Sequence, residues 1–156
     1  MEAPERPKAR ILILMPDAHV LIRNYYKAFN ERRFEDAAEF FTHDAVIEHL
    51  PATHTRRGPD GYLDSARGAI AAFPDLHLQI VHVEQRGDTI CEVDVLCSGT
   101  HEGEWAIGEL GPFKPSAQRH TYHVRELLEI RGGQITYSSL RWDIKTIVAQ
   151  FDKNGN

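Results

Sequence analysis

The order of apolar and polar positions divides the chain into a helical front and a strand-rich back. From Asp17 to Asn30 the apolar residues Leu21, Tyr25, Ala28 and Phe29 recur at helical spacing, with Asp17 placed to cap the first turn. A short second helix is expected over Phe34 to Phe41, buried through Ala37, Ala38, Phe40 and Phe41, followed by a strand AVIEHL that Pro51 ends. RGPDGYLDSARGAIAAFP opens on loop punctuation, continues with helix formers and stops at Pro74. After that the period changes to two. LHLQIVHVEQ, a Gly87-Asp88 turn and TICEVDVLCSGTH form a hairpin, with Cys91, Val93, Val95 and Cys97 on one face and Glu92 and Asp94 on the other. Residues 102–118, rich in glycine and proline, are too long for a simple connector and read as a pocket lid. HTYHVRELLEI, an RGG turn and QITYSSLRWD make a second hairpin, and an apolar helical run follows Asp143.

Helices first and antiparallel strands afterwards predict an α+β domain over residues 17–151, with tails at 1–16 and 152–156. A sheet that curls over a small helical layer has a concave side, where a ligand site is expected. Composition narrows the partners. With 42% hydrophobic and 26% charged residues the 156-residue chain is large enough for one core, and its net charge of −5 lacks the basic stripe of a nucleic-acid or anionic-membrane surface. Cys91 and Cys97 lie too far apart along one strand for a disulfide and read as core residues in a reducing compartment. ILILM near the start is too short for a signal or transmembrane segment, so a cytoplasmic location is expected.

Most catalytic patterns are absent. Nine histidines invite a metal, but His120 and His123 have opposite parity on a strand, and no His-x-Glu-x-x-His or Cys-x-x-Cys occurs. There is no nucleophile elbow, and the glycine loops lack the lysine and spacing of a phosphate cradle. Acid–base chemistry remains. On the last strand Tyr137, Ser139, Arg141 and Asp143 share parity, placing hydroxyls, a cation and a carboxylate on one face, which is either a solvated exterior or a cavity wall.

Several segments in order carry a family resemblance. NYYKAFNERRFEDAAEFFTHDAVIEH, RGPDGYLDSARGAIAAFPDLHLQI, GDTICEVDVLCSGTHEGEW and EIRGGQITYSSLRWDIKTIVAQF together resemble the SnoaL-like polyketide cyclases. These belong to the nuclear-transport-factor-2-like group that includes ketosteroid isomerase and limonene epoxide hydrolase relatives. The resemblance implies a cone of strongly curved antiparallel sheet closed by N-terminal helices around a central cavity. It also implies a homodimer through the outer face of the sheet. Asp143 matches the family's acid–base residue, which performs an intramolecular aldol ring closure on a small hydrophobic carbonyl compound without metal or organic cofactor. Where the family often has Glu-His-Trp, this chain has Tyr137-Ser138-Ser139, and a longer EWAIGELGPFKPS follows Gly-Thr-His-x-Gly.

The expected site therefore has Asp143 as proton acceptor and donor. His123 is the preferred hydrogen-bond donor to the enolate oxygen, because its charge changes near neutral pH; Arg125 and Arg141 are the other candidates, with ion-paired surface roles as their alternative. His49 or His101 protonates the receiving carbonyl, unless His49 is a strand histidine with structural partners and His101 only orients the lid. Trp105, Tyr25 and Ser139 complete the substrate-binding set. Two further functions stay open: epoxide hydrolysis by a converging Asp94, Arg141 and Asp143, and non-catalytic ligand binding with Asp143 as the N-cap of the final helix.

Overall fold

A computed structural model describes residues 18–50, 54–107 and 109–155, the side chains of residues 54 and 152–155 excepted. The expected Asp17 cap and the N-terminal tail lie outside the described residues. Helices α1 (Ala18–Asn30), α2 (Phe34–Ala38) and α3 (Gly58–Ala72) precede most of the sheet, and α4 (Ile144–Gly155) follows it. The strands are β1 (Phe41–Leu50), β2 (His54–Arg57), β3 (His77–Arg86), β4 (Ile90–Thr100), β5 (Trp105–Ile107), β6 (Leu110–Phe113), β7 (Arg119–Arg131) and β8 (Gln134–Trp142). Compared with the sequence reading, α2 is shorter, β1 begins four residues earlier, and the 102–118 segment is a small β5·β6 hairpin with Trp105, Ile107 and Phe113 buried.

The curved main sheet is open and has the order β2-β1-β8-β7-β4-β3. It is mixed rather than wholly antiparallel, because β1 and β8 run parallel, with Ile47 beside Ser138 and His49 beside Leu140. β7 spans the middle with strict alternation: His120, Tyr122, Val124, Glu126, Leu128 and Ile130 are buried on its inner side. Inward residues of β4, including Val93, Val95 and the free cysteines Cys91 and Cys97, extend the same layer. The core lies between this face and the helices. Ile22, Ala28 and Phe29 of α1 and Ala66 of α3 meet it from the helical side.

Specific local chemistry fixes the helices over the sheet. The Asn30 side chain at the end of α1 both donates to the Leu78 carbonyl and accepts from the Leu78 N–H, each at 2.9 Å, tying the helix to β3. Gly58, at φ +66°, starts α3 so close to β1 that a Cβ there would sit 2.5 Å from the His43 carbonyl oxygen. Only glycine accommodates both that dihedral and that approach. Pro59 then falls in the first turn, where a missing N–H costs nothing. Gly103 makes an equally close approach to the C-terminal end of α3, 2.2 Å from Ala71 O for a hypothetical Cβ, and so seats the start of the β5·β6 hairpin.

β8 contains the irregularity that decides which side chains face inward. Ile130 pairs with Ile135 but Glu129 pairs with Tyr137, so Thr136 is an extra residue on β8. The bulge reverses parity along the strand. Ile135 points into the core before it, and Ser138, Leu140 and Trp142 point inward after it.

Candidate active site

Between the helices and the inner face of the sheet lies a cavity of about 450 Å³. Its walls are mainly apolar and aromatic, among them Tyr25, Tyr62, Trp105, Tyr122, Leu140 and Trp142. Such a volume and lining suit a small hydrophobic ligand. Against this background one side chain is conspicuous: Glu126, in the inward row of β7, lines the cavity with only 1% of its surface exposed.

A buried carboxylate needs partners, and three hydroxyls supply them. Tyr25 Oη donates to Glu126 Oε2 at 3.2 Å and Ser138 Oγ donates to the same oxygen at 2.6 Å, while Tyr26 Oη donates to Oε1. Tyr25 and Tyr26 reach the carboxylate from α1, and Ser138 reaches it from β8 because the Thr136 bulge has turned it inward. Burial raises the Glu126 pKa above the ordinary carboxylate value, and the three hydroxyl donors offset part of that rise. Burial, with the nearby Glu126 charge, pushes the Tyr25 and Tyr26 pKa values well above normal. These phenols therefore remain protonated donors. Cys97 is likewise pushed up to about 12 by burial and then by Glu126, which makes it an inert thiol at neutral pH. The arrangement gives a carboxylate of increased basicity in a largely apolar chamber.

A second polar group sits on the same wall. His49 Nε2 lies 3.3 Å from Ser65 Oγ of α3, and the imidazole packs against Trp142 at a centroid distance of 5.3 Å. Of the residues expected to bind substrate, His49, Tyr25 and Trp105 line the cavity. His101 does not line it. It is fully buried beside it, stacked on Phe73 at 5.2 Å and edge-on to Phe151 at 5.3 Å, and burial lowers its pKa. Its place is in the packing between the β5·β6 hairpin and α4.

The remaining expected site residues lie elsewhere, and their placement is corrected accordingly. Asp143 is exposed at the β8–α4 junction, where its carboxylate accepts from Thr146 N at 3.3 Å and Thr146 Oγ1 at 2.8 Å. Those two bonds hold its pKa below the usual range, the opposite of the raised value a cavity would impose. His123 and Arg125 occupy the exposed alternate positions of β7, and Arg125 Nε pairs with Asp94 Oδ1 at 2.9 Å on the outer face. Arg141 is also exposed, and Ser139 stands beside Glu48, whose carboxylate accepts from Tyr137 on that outer side. Asp94, Arg141 and Asp143 consequently do not converge on the cavity. Sequence reasoning missed Glu126, although its parity with Tyr122, Val124, Leu128 and Ile130 was the available signal. Among the described residues, no group of three or more His, Cys, Asp or Glu could hold a metal ion, and no helix is long and apolar enough to cross a membrane.

The family model of the SnoaL-like polyketide cyclases matches residues 19–151, from the first helix to the last. The chain belongs to this family. The SnoaL-like fold recurs in solved structures. IdmH, a candidate polyketide cyclase from Streptomyces antibioticus, is 24% identical, with 86% of this chain and 97% of that one covered at a TM-score of 0.70. A candidate polyketide cyclase from Xanthomonas campestris pv. campestris is 18% identical over 88% and 98% of the two chains, with a TM-score of 0.75. AclR, a candidate hydroxylase from Streptomyces galilaeus, is 19% identical over 89% and 98%, with a TM-score of 0.72. At these identities the likeness establishes the SnoaL-like fold, and the family model supports a cyclase- or isomerase-type enzyme in general terms. No curated protein sequence matches the chain.

Proposed function

We propose that this SnoaL-like protein is an acid–base enzyme that closes or isomerises a small hydrophobic carbonyl compound, with Glu126 handling the proton. The observation that carries the reading is a fully buried carboxylate, held by Tyr25, Tyr26 and Ser138, on the wall of a 450 Å³ apolar cavity. Proton removal from a carbon flanked by carbonyls needs a base only modestly stronger than an ordinary carboxylate, which burial of Glu126 provides. Ketosteroid isomerase works with tuning of this kind, an aspartate base of modestly raised pKa acting beside a neutral acid donor.

In the proposed step the Glu126 carboxylate takes the proton, and the electron pair of the broken C–H bond enters the enolate. For ring closure that carbon bonds to a second carbonyl carbon of the same molecule, and the resulting alkoxide receives a proton. The product is an isomer of the substrate. The hydroxyl trio keeps the carboxylate aimed at the reacting carbon and limits its reorganisation as charge leaves it. Asp143, in this reading, is the N-cap of α4.

Deuterium incorporation at the acidic carbon of cyclic 1,3-diketones and aryl β-keto esters, followed by NMR, tests the proposal. Glu126→Gln keeps the side-chain shape and is expected to lower the enzyme-dependent rate by at least about 100-fold, with an unchanged circular dichroism spectrum. An unchanged rate in this variant, or ligand binding by the native protein with no exchange, would favour a non-catalytic binding protein instead.

A further inference from the structure

An enolate-forming site needs a donor for the oxygen as well as a base for the carbon. The expected donors His123, Arg125 and Arg141 are on the outer face. On the inner face, the β7·β8 register places Glu126 opposite Leu140 and Val124 opposite Trp142. Trp142 is therefore the diagonal neighbour of Glu126, at a backbone separation of roughly 7–8 Å. Both residues line the cavity.

The Trp142 indole Nε1 is buried and has no hydrogen-bond partner. A buried N–H is normally satisfied, and an indole N–H can only donate, so what is missing is an acceptor. The ring is carried by β8 and packs against His49 of β1, whose imidazole in turn meets Ser65 of α3. The ring is thus fixed on the cavity wall beside the residue that carries the buried carboxylate, with an N–H that still lacks an acceptor.

Resting on the acid–base reading of Glu126, we infer that the Trp142 indole N–H binds the substrate's carbonyl oxygen and stabilises the enolate that forms there. The substrate class is then narrower than a hydrophobic carbonyl compound. It is a compact, planar or near-planar ketone whose acceptor oxygen is adjacent to the acidic carbon, so that Glu126 and Trp142 engage neighbouring atoms of one molecule.

The test uses 2-naphthol as an oxygen-bearing planar probe and naphthalene as its counterpart lacking the oxygen, with binding measured by calorimetry. The native protein is expected to prefer 2-naphthol, and Trp142→Phe, which keeps an aromatic wall, is expected to reduce that preference by roughly 5- to 50-fold. In the native protein the Trp142 indole N–H resonance, assigned through its proximity to His49, is expected to move downfield with 2-naphthol and not with naphthalene. This second measurement decides the matter where the variant does not fold. An undiminished preference in Trp142→Phe, or an indole resonance unmoved by 2-naphthol, overturns the inference. The diketone exchange assay separates the two claims: loss of exchange in Glu126→Gln together with either of those results leaves the base standing and removes Trp142 as the donor.

Discussion

At the scale of single residues, the carboxylates of Glu126 and Asp143 have opposite environments. Glu126 is buried with a raised pKa, so exchange should have an acid limb above pH 4.5, the ordinary glutamate value, as protonation removes the base. A rate–pH profile on a 1,3-diketone checks this, and an acid limb at or below that value would assign the proton transfer to another group. Asp143 is exposed and bonded to Thr146, so Asp143→Ala should lower the melting temperature while Asp143→Asn retains most of it, because asparagine also caps helices. Exchange should be unaffected by either change. The sequence exposed these residues unequally. The alternation of β7 put Glu126 among apolar residues in plain view, whereas the orientation of β8 depended on one extra residue, Thr136, that no periodicity revealed. Ser139 and Arg141 do share a side of the strand with Asp143, but that side faces away from the cavity.

At the scale of elements, α4 is fastened by Phe151, which stacks on His120 at 4.3 Å and packs against Trp105 at 4.9 Å. Phe151 has no exposed surface, so Phe151→Ala should cost about 3–5 kcal/mol by equilibrium denaturation. His120 also meets Ser116 at 3.1 Å and Gln150 at 2.9 Å. Burial lowers the His101 and His120 pKa values, and the neighbouring His101 lowers that of His120 further. The folded chain therefore binds fewer protons at these sites than the unfolded chain. Their contribution is intact above the ordinary histidine value of 6.5 and is lost progressively as pH falls from there towards the folded-state values. Hydrogen exchange should show α4 losing protection as pH falls below 6.5, with less change in the interior strands. Helix α4 was legible from its apolar spacing and its capping aspartate. The β5·β6 hairpin was not, because three- and four-residue strands broken by glycine and proline carry too little alternation to separate from a loop.

At the scale of the whole molecule, the helices-then-strands order revealed an α+β architecture, and the cavity followed from a curved sheet covered on one side. The family resemblance further implies a dimer through the outer face, where Leu96 and Leu127 lie half-buried near the Arg125–Asp94 ion pair. On that proposal Leu127→Arg should convert a two-chain species to a one-chain species in sedimentation, with the cavity intact; a native protein that sediments as one chain removes it. What the sequence left hidden at this scale was the parallel contact of β1 with β8, because pairing between distant strands leaves no local mark. That contact orders events during synthesis. β1 leaves the ribosome early, yet the neighbour that joins it to β7 and the rest of the sheet is among the last segments to emerge. Until then the edge of β1 that will receive β8 stands open, and so does the chamber wall that Leu140 and Trp142 will complete. A nascent chain truncated before β8 therefore lacks the strand that joins the two parts of its sheet, and it exposes the kind of unpaired edge that chaperones shield.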